Sequence, residues 1–308
     1  MKVAVAQVDG KWPNLALAKL CKHHRGLGHE VEIFNPLFSD SYDTVYASKV
    51  FMDTPDSHYL PARALTGGAG YRSGECLPPW VEELRPDWSL WPWWSKDMGF
   101  TTRGCVRRCP FCSVPDREGK LHVVASLPEI STGRRDMVLL DANICGAPME
   151  HFRQVFSDAK RLGIRLDPSQ GIDARLLTEE QARIILDTPH GPRLHTAFDH
   201  PRDEKYVRRA IALFREAGMN IDHDLLVFVL IGWDTTPEED LERVELVRSL
   251  GANPFVMPYD RSIRYQIDFS RWVNRVPIFR TTTWTEYRRR RDQIPSGADV
   301  APDQLSLG

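Results

Sequence analysis

No stretch of 18 apolar residues occurs anywhere in the chain, so nothing in it reads as a membrane-spanning helix. The opening Met1-Lys2-Val3-Ala4-Val5-Ala6-Gln7-Val8-Asp9 is too short an apolar run for a secretory leader, and the expected compartment is the cytoplasm. Net charge is missing too: 40 Lys plus Arg against 42 Asp plus Glu leave −2, which indicates no polyanionic partner for the molecule as a whole. Six cysteines among 308 residues do not make a disulfide scaffold, and they suit a reducing environment. Gly67-Gly68-Ala69-Gly70 lacks the Gly-Lys-Ser/Thr ending of a phosphate loop and the Gly-x-Gly-x-x-Gly spacing of a dinucleotide fingerprint, so it reads as a flexible turn. With 42% hydrophobic and 27% charged residues, the chain is globular and long enough for one large domain or two modest ones.

Three of the six cysteines lie together in Gly104-Cys105-Val106-Arg107-Arg108-Cys109-Pro110-Phe111-Cys112, just after the apolar run Met98-Gly99-Phe100. The spacing Cys-x3-Cys-x2-Cys is a ligand set, because closely spaced thiolates are what hold an iron–sulfur cluster, normally in fours. The fourth is missing locally. A [4Fe–4S] cluster on Cys105, Cys109 and Cys112 would keep one iron open to an external ligand. The alternative is a structural zinc knuckle, which needs a fourth ligand such as Cys145, Cys76 or His122.

The loop resembles that of the radical S-adenosylmethionine (radical SAM) enzymes, which carry this spacing with an aromatic residue before the last cysteine, as Phe111 does here. The resemblance implies that Cys105, Cys109 and Cys112 ligate the cluster and that Phe111 lies near the adenine of SAM. It further implies that the open iron chelates the methionyl end of SAM and that one electron, from an external donor such as flavodoxin or ferredoxin, cleaves SAM to a 5′-deoxyadenosyl radical.

Before the loop, residues 2–8, 30–34 and 43–51 read as strands and residues 15–27 as a helix, a small Rossmann-like α/β unit in which Cys21 is a core residue. Many radical SAM enzymes begin with a cobalamin-binding domain of this type, and residues 1–94 resemble a degenerate one. The signature Asp-x-His-x-x-Gly is absent after the first strand, and Asp56-Ser57-His58-Tyr59-Leu60-Pro61 starts correctly but ends in proline, so cobalamin is not expected. Residues 78–94 hold four prolines and five tryptophans (80, 88, 91, 93 and 94) and read as a linker packed against its neighbour.

From Gly99 onward, strand-like runs begin near Met137, Ile164, Arg193, Ile221 and Asn253, spaced by about 27 to 32 residues, the size of a βα repeat. Gly163 and Gly218 stop two of the intervening helices, and capping boxes at Thr178/Gln181 and Thr236/Glu239 open two more. Right-handed crossovers would wrap six such units into a partial (βα)6 TIM-like barrel over residues 95–265, the core that radical SAM enzymes share. Active sites of parallel barrels lie at the C-terminal ends of the strands, where this chain has Asp141-Ala142-Asn143, then Asp173 and Arg175, then Asp199 and His200, then Trp233 and Asp234. By the resemblance Asn143, Arg175 and Asp199 would touch SAM. The family's Gly-Gly-Glu after the second strand is replaced here by Asp141-Ala142-Asn143. Cys145 is either inert packing or a thiol near the site.

Residues 266–308 form a basic extension and tail. Between positions 261 and 291 nine arginines face Asp268 and Glu286, a local +7 that would either grip phosphates or line a solvated helix beside an acidic helix at 238–245. A small-molecule or peptide substrate is expected, with a nucleic acid, as in the methylthiotransferase-like radical SAM enzymes, as the alternative.

Overall fold

The structure is a computed structural model that describes residues 1–57, 59–71 and 76–292. His58, from the incomplete cobalamin-like motif, and the tail from residue 295 on lie outside the described residues. The fold is mixed α/β with parallel sheets. It divides into two compact units, Met1–Gly171 with Arg183–Gly191, and Ile172–Ala182 with the described residues from Pro192 on. Among the described residues no helix is long and apolar enough to cross a membrane.

The first unit begins with strands β1 (Lys2–Gln7), β2 (Glu30–Ile33), β3 (Thr44–Ser48) and β4 (Leu65–Gly67), all parallel in the order β2-β1-β3-β4. A central strand of a parallel sheet is covered on both faces, and β1 obeys: Val3 and Val5 pack with Leu17, Leu20, Cys21 and Val31, while Ala4 and Ala6 pack with Phe34, Tyr42 and Val45 on the other side. The helix Leu15–Gly26 is capped by Asn14, whose side chain accepts from Leu17 N at 3.2 Å. Burial pushes the Cys21 thiol up to about 12, in keeping with a core residue. Trp88, Trp91 and Trp94 complete this core, together with Met98 and Val138, so the proline-rich stretch is packed as its indoles require. Trp80 and Trp93 depart from that reading and stay exposed, at 64% and 62%.

The glycines at 68 and 70 are not a loose turn. A Cβ on Gly68 would lie 2.5 Å from the Lys49 carbonyl oxygen, and one on Gly70 would lie 2.7 Å from that of Phe51, so glycine is required by close packing against the segment that follows β3. Lys49, almost wholly buried, pairs there with Asp56 at 2.6 Å.

The same unit continues with β5 (Asp97–Gly99), a short antiparallel ribbon of β6 (Thr102–Arg103) and β7 (His122–Val123), then β8 (Asp136–Leu139) and β9 (Arg165–Pro168). Strands β5, β8 and β9 form a parallel sheet in that order. Met137, Val138 and Leu139 are fully buried, and the helix Met149–Leu162 contributes Phe152, Val155, Phe156 and Ala159 before stopping at Gly163 in the left-handed conformation (φ +65°).

In the second unit β10 (Leu194–Ala197), β11 (Leu225–Ile231) and β12 (Asn253–Pro258) form another parallel sheet. The fifth strand of the repeat, expected near Ile221, starts at Leu225. Residues Ile221–Asp224 instead make one helical turn, with Asp224 N donating to Asn220 O at 2.8 Å, because the Asn and Asp residues there favour turns over a ladder. Both capping boxes form, with Gln181 N on Thr178 Oγ1 at 3.2 Å and Glu239 N on Thr236 Oγ1 at 3.3 Å. The helices Arg264–Val273, Val276–Thr281 and Trp284–Asp292 join through Phe269, Trp272, Phe279 and Trp284. Asn274 presents its side-chain amide to both polar groups of Val256, at 2.7 and 3.0 Å.

Candidate cysteine-loop site

Strand β5 ends at Gly99, and Thr101-Thr102 follow, both fully buried. They are held by Asp141, which comes off the end of β8. Its Oδ1 accepts from Thr101 N at 2.7 Å, and its Oδ2 accepts from Thr101 Oγ1 (2.6 Å), Thr102 N (3.0 Å) and Thr102 Oγ1 (2.8 Å). Burial pushes the Asp141 carboxyl up while these four donors pull it back. Thr101 gives its only hydroxyl proton to Asp141, so His151 Nε2, 3.1 Å away in the first turn of the helix Met149–Leu162, is the donor in that contact. Burial lowers the pKa of His151, and the Asp141 charge opposes this.

The neck of the cysteine loop is closed by β6 and β7. Gly104 has φ +74°, and a Cβ there would lie 2.5 Å from the Lys120 carbonyl oxygen, so only glycine lets the two legs of the loop cross. Gly104 N donates to Glu118 Oε2 at 2.9 Å and Cys105 N to Gly119 O at 3.3 Å. Arg103 bridges Glu118 and Glu82 at 3.3 and 3.2 Å and lies 3.5 Å over the Phe100 ring. Beyond this neck Cys105, Cys109, Phe111 and Cys112 are partly buried, and Cys112 N donates to Cys109 O at 2.9 Å. Cys105 Sγ accepts from Arg107 N at 3.3 Å and from Asn143 Nδ2 at 3.7 Å. Cys145 is buried, and its neighbour Gly146 presses on Val106, where a Cβ would come within 2.8 Å of Val106 Cγ2.

Among the described residues, no three Cys, His, Asp or Glu side chains are gathered into a ready-made metal centre. What fits is the donor chemistry: three thiols on one loop with a fixed neck, one of them already accepting from two N–H groups, the interaction that accompanies thiolate ligation.

Arg175 and Asp199 belong to the second unit and meet a different environment. Arg175 is gripped by Asp173, Nε to Oδ1 at 2.7 Å and Nη2 to Oδ2 at 3.2 Å, with Asp203 at 3.6 Å. Asp199 follows β10 and is partly buried; desolvation pushes its carboxyl up to about 6 against the pull of Arg175 and Arg243. His200 faces Asp234 at 3.9 Å, and Asp234 takes a positive φ of 50°.

The acidic helix opened by Thr236 buries a charge pair. Asp240 and Arg243 are 0% and 2% exposed and meet at 2.6 Å. Arg243 also donates to Phe198 O at 2.7 Å and Leu230 O at 2.8 Å, tying the ends of β10 and β11 together. The only sign of this in the sequence is an i,i+3 spacing that exposed helices share. Nor did any pattern single out Thr101, Thr102 or His151. A scan against protein-family models and a search of curated proteins found no match for the chain.

Proposed function

We propose that this protein is a radical SAM enzyme, with Cys105, Cys109 and Cys112 as ligands of a [4Fe–4S] cluster. The observation that carries the reading is the Cys-x3-Cys-x2-Cys loop itself, set just beyond a parallel strand on a neck that Gly104, Glu118 and Asp141 hold in place. A cluster bound this way supplies one electron, drawn from an external carrier of the flavodoxin or ferredoxin kind, to cleave SAM at its open iron. The protein's own part is positional. Thr101, Thr102 and Asp141 fix where the loop leaves the strand, and Phe111 offers a ring for the adenine. Arg175, with Asp173 and Asp203 orienting its guanidinium, and Asp199 supply polar groups for the methionyl and ribose parts of SAM. In this reading β5, β8, β9, β10, β11 and β12 are the six strands of a partial (βα)6 barrel, and the four-stranded sheet is a small Rossmann-like unit that binds no cobalamin.

The substrate is a small molecule or peptide. Supporting this, four of the nine arginines between positions 261 and 291 are engaged within the protein: Arg264 and Arg291 meet Asp268 at 2.6 and 2.7 Å, Arg271 lies 3.8 Å from it, and Arg280 pairs with Asp222.

The test is anaerobic reconstitution with iron and sulfide, followed by reductant and SAM. Wild type is expected to be brown and to release 5′-deoxyadenosine, and Cys109→Ala to do neither. A colourless, zinc-loaded protein, or release that survives in Cys109→Ala, would remove the assignment.

A further inference from the structure

The turn that leaves β8 carries Asp141, Ala142 and Asn143. A carboxylate has roughly four acceptor positions, and Asp141 fills them with the amides and hydroxyls of Thr101 and Thr102 at 2.6 to 3.0 Å, inside a site where it is 2% exposed. This residue is therefore committed to the cysteine loop through four donors, one on Oδ1 and three on Oδ2. Asn143 follows two residues later. It is 4% exposed, and its Nδ2 points at Cys105 Sγ from 3.7 Å. Three residues further on, Gly146 packs on Val106, the residue after Cys105. The segment after β8 thus meets the loop at the sulfur of Cys105 and at the side chain of the residue after it, the second contact so close that a side chain at 146 would prevent it.

We propose that Asn143 is a positioning residue for the cluster and not a SAM ligand: its amide donates to the Cys105 thiolate, fixes that ligand's direction and eases one-electron reduction of the cluster. The inference rests on the cluster reading above. Its physical basis is that reduction adds negative charge to the cluster and its sulfurs, and an N–H donor aimed at a ligating sulfur stabilises that added charge, raising the reduction potential. Asn143 is suited to this because it is neutral: it can polarise the thiolate without bringing a charge that must be matched in a buried place. The backbone N–H of Arg107, at 3.3 Å, aids from within the loop, whereas Asn143 reaches the sulfur from another element and is removable by substitution.

The experiment compares reconstituted wild type, Asn143→Ala and Asn143→Asp by iron content, by the midpoint potential from redox titration followed by electron paramagnetic resonance, and by SAM affinity from equilibrium dialysis. Iron content is expected to hold, the midpoint to move negative in Asn143→Ala and further in Asn143→Asp, where a carboxylate faces the sulfur, and the SAM Kd to stay within about twofold. An unchanged midpoint overturns the proposal, as does a SAM Kd weakened by about tenfold or more with the midpoint unmoved, which would return Asn143 to SAM. Should the alanine variant hold no iron, Asn143→Ser decides, since it keeps a donor: iron retained with an intermediate midpoint supports the role, and iron lost in both makes Asn143 a folding residue. Wild type that takes up no cluster would defeat the proposed function itself, an outcome separate from all of these.

Discussion

The two units treat their polar residues in opposite ways. In the first, the residues with chemical potential, Cys105, Cys109 and Cys112, are left partly exposed, while their loop is held by the buried Thr101, Thr102 and Asp141 and by the partly buried Arg103 and Glu118. In the second, a conspicuous charge pair, Arg243 with Asp240, is itself the buried support, while Arg175 lies partly buried beside Asp173 and Asp203. Asp141 is satisfied wholly by Thr101 and Thr102. Asp240 takes Arg243 at 2.6 Å, Thr235 Oγ1 at 2.8 Å and Tyr265 OH at 3.3 Å. A carboxylate saturated by neutral donors can pin a loop without a counterion, whereas the buried pair of Asp240 and Arg243 binds its members to each other and to the strand ends.

The contrast is most severely tested by Asp240→Ala. It leaves Arg243 buried without its partner and should cost about 3–5 kcal/mol in urea unfolding, with most of that loss recovered when Arg243→Met is added. A loss under about 1 kcal/mol would mean that the pair is not a structural support. The matching change in the first unit, Asp141→Ala, strands buried amide and hydroxyl donors and should cost roughly 2–3 kcal/mol. Hydrogen exchange sharpens this comparison, because the amides of Thr101 and Thr102 should exchange faster while that of Val256, held by Asn274 in the second unit, should not.

Acid probes both units together. His24, packed against His29 at 3.0 Å and Tyr46 at 3.1 Å, and His195, stacked on Phe228 with ring centroids 5.0 Å apart, are each lowered to about 4, chiefly by burial. Both are neutral in the folded state and bind protons more readily when unfolded, so their stabilisation is whole above pH 6.5 and is lost as pH falls through 4. The loss is at most about 3 kcal/mol for His24 and less for the more exposed His195. Asp199 runs the other way: with its carboxyl raised to about 6, its contribution is complete below 3.8 and lost as pH rises through 6. His195→Phe should keep the stack and flatten the acid slope, and Asp199→Asn should steepen it, both read from melting temperature against pH.

The smallest effect is expected from replacing Arg288, Arg289 and Arg290, all exposed, with glutamine. Stability should stay within about 0.5 kcal/mol and SAM cleavage should not change. If RNA retention fell and its salt dependence flattened by about 0.9 per lost phosphate contact, the substrate proposal would move to a nucleic acid.

Much of the fold was legible in the chain. A short continuous apolar run announced β1, glycine announced the end of the helix Met149–Leu162, and Thr178 and Thr236 announced the starts of two others, because each signal acts over a few residues. The same reading was silent on the burial of Asp240 and Arg243, since a charge pair spaced i,i+3 looks alike whether it faces water or a sheet. It also started β11 too early, because Ile221 is apolar enough for a strand while Asn220 and Asp224 close a turn around it.

Local chemistry determined the spacing of Cys105, Cys109 and Cys112, the helix caps and the glycine at 104. Tertiary structure alone decided what holds the cysteine loop. Asp141 lies 40 residues beyond Thr101, Asn143 lies 38 beyond Cys105, and Arg243 reaches back 45 residues to Phe198. No short-range pattern encodes such pairings. They form because strands adjacent in a parallel sheet end side by side, and a buried polar group placed there must be satisfied by whichever neighbour the packing supplies.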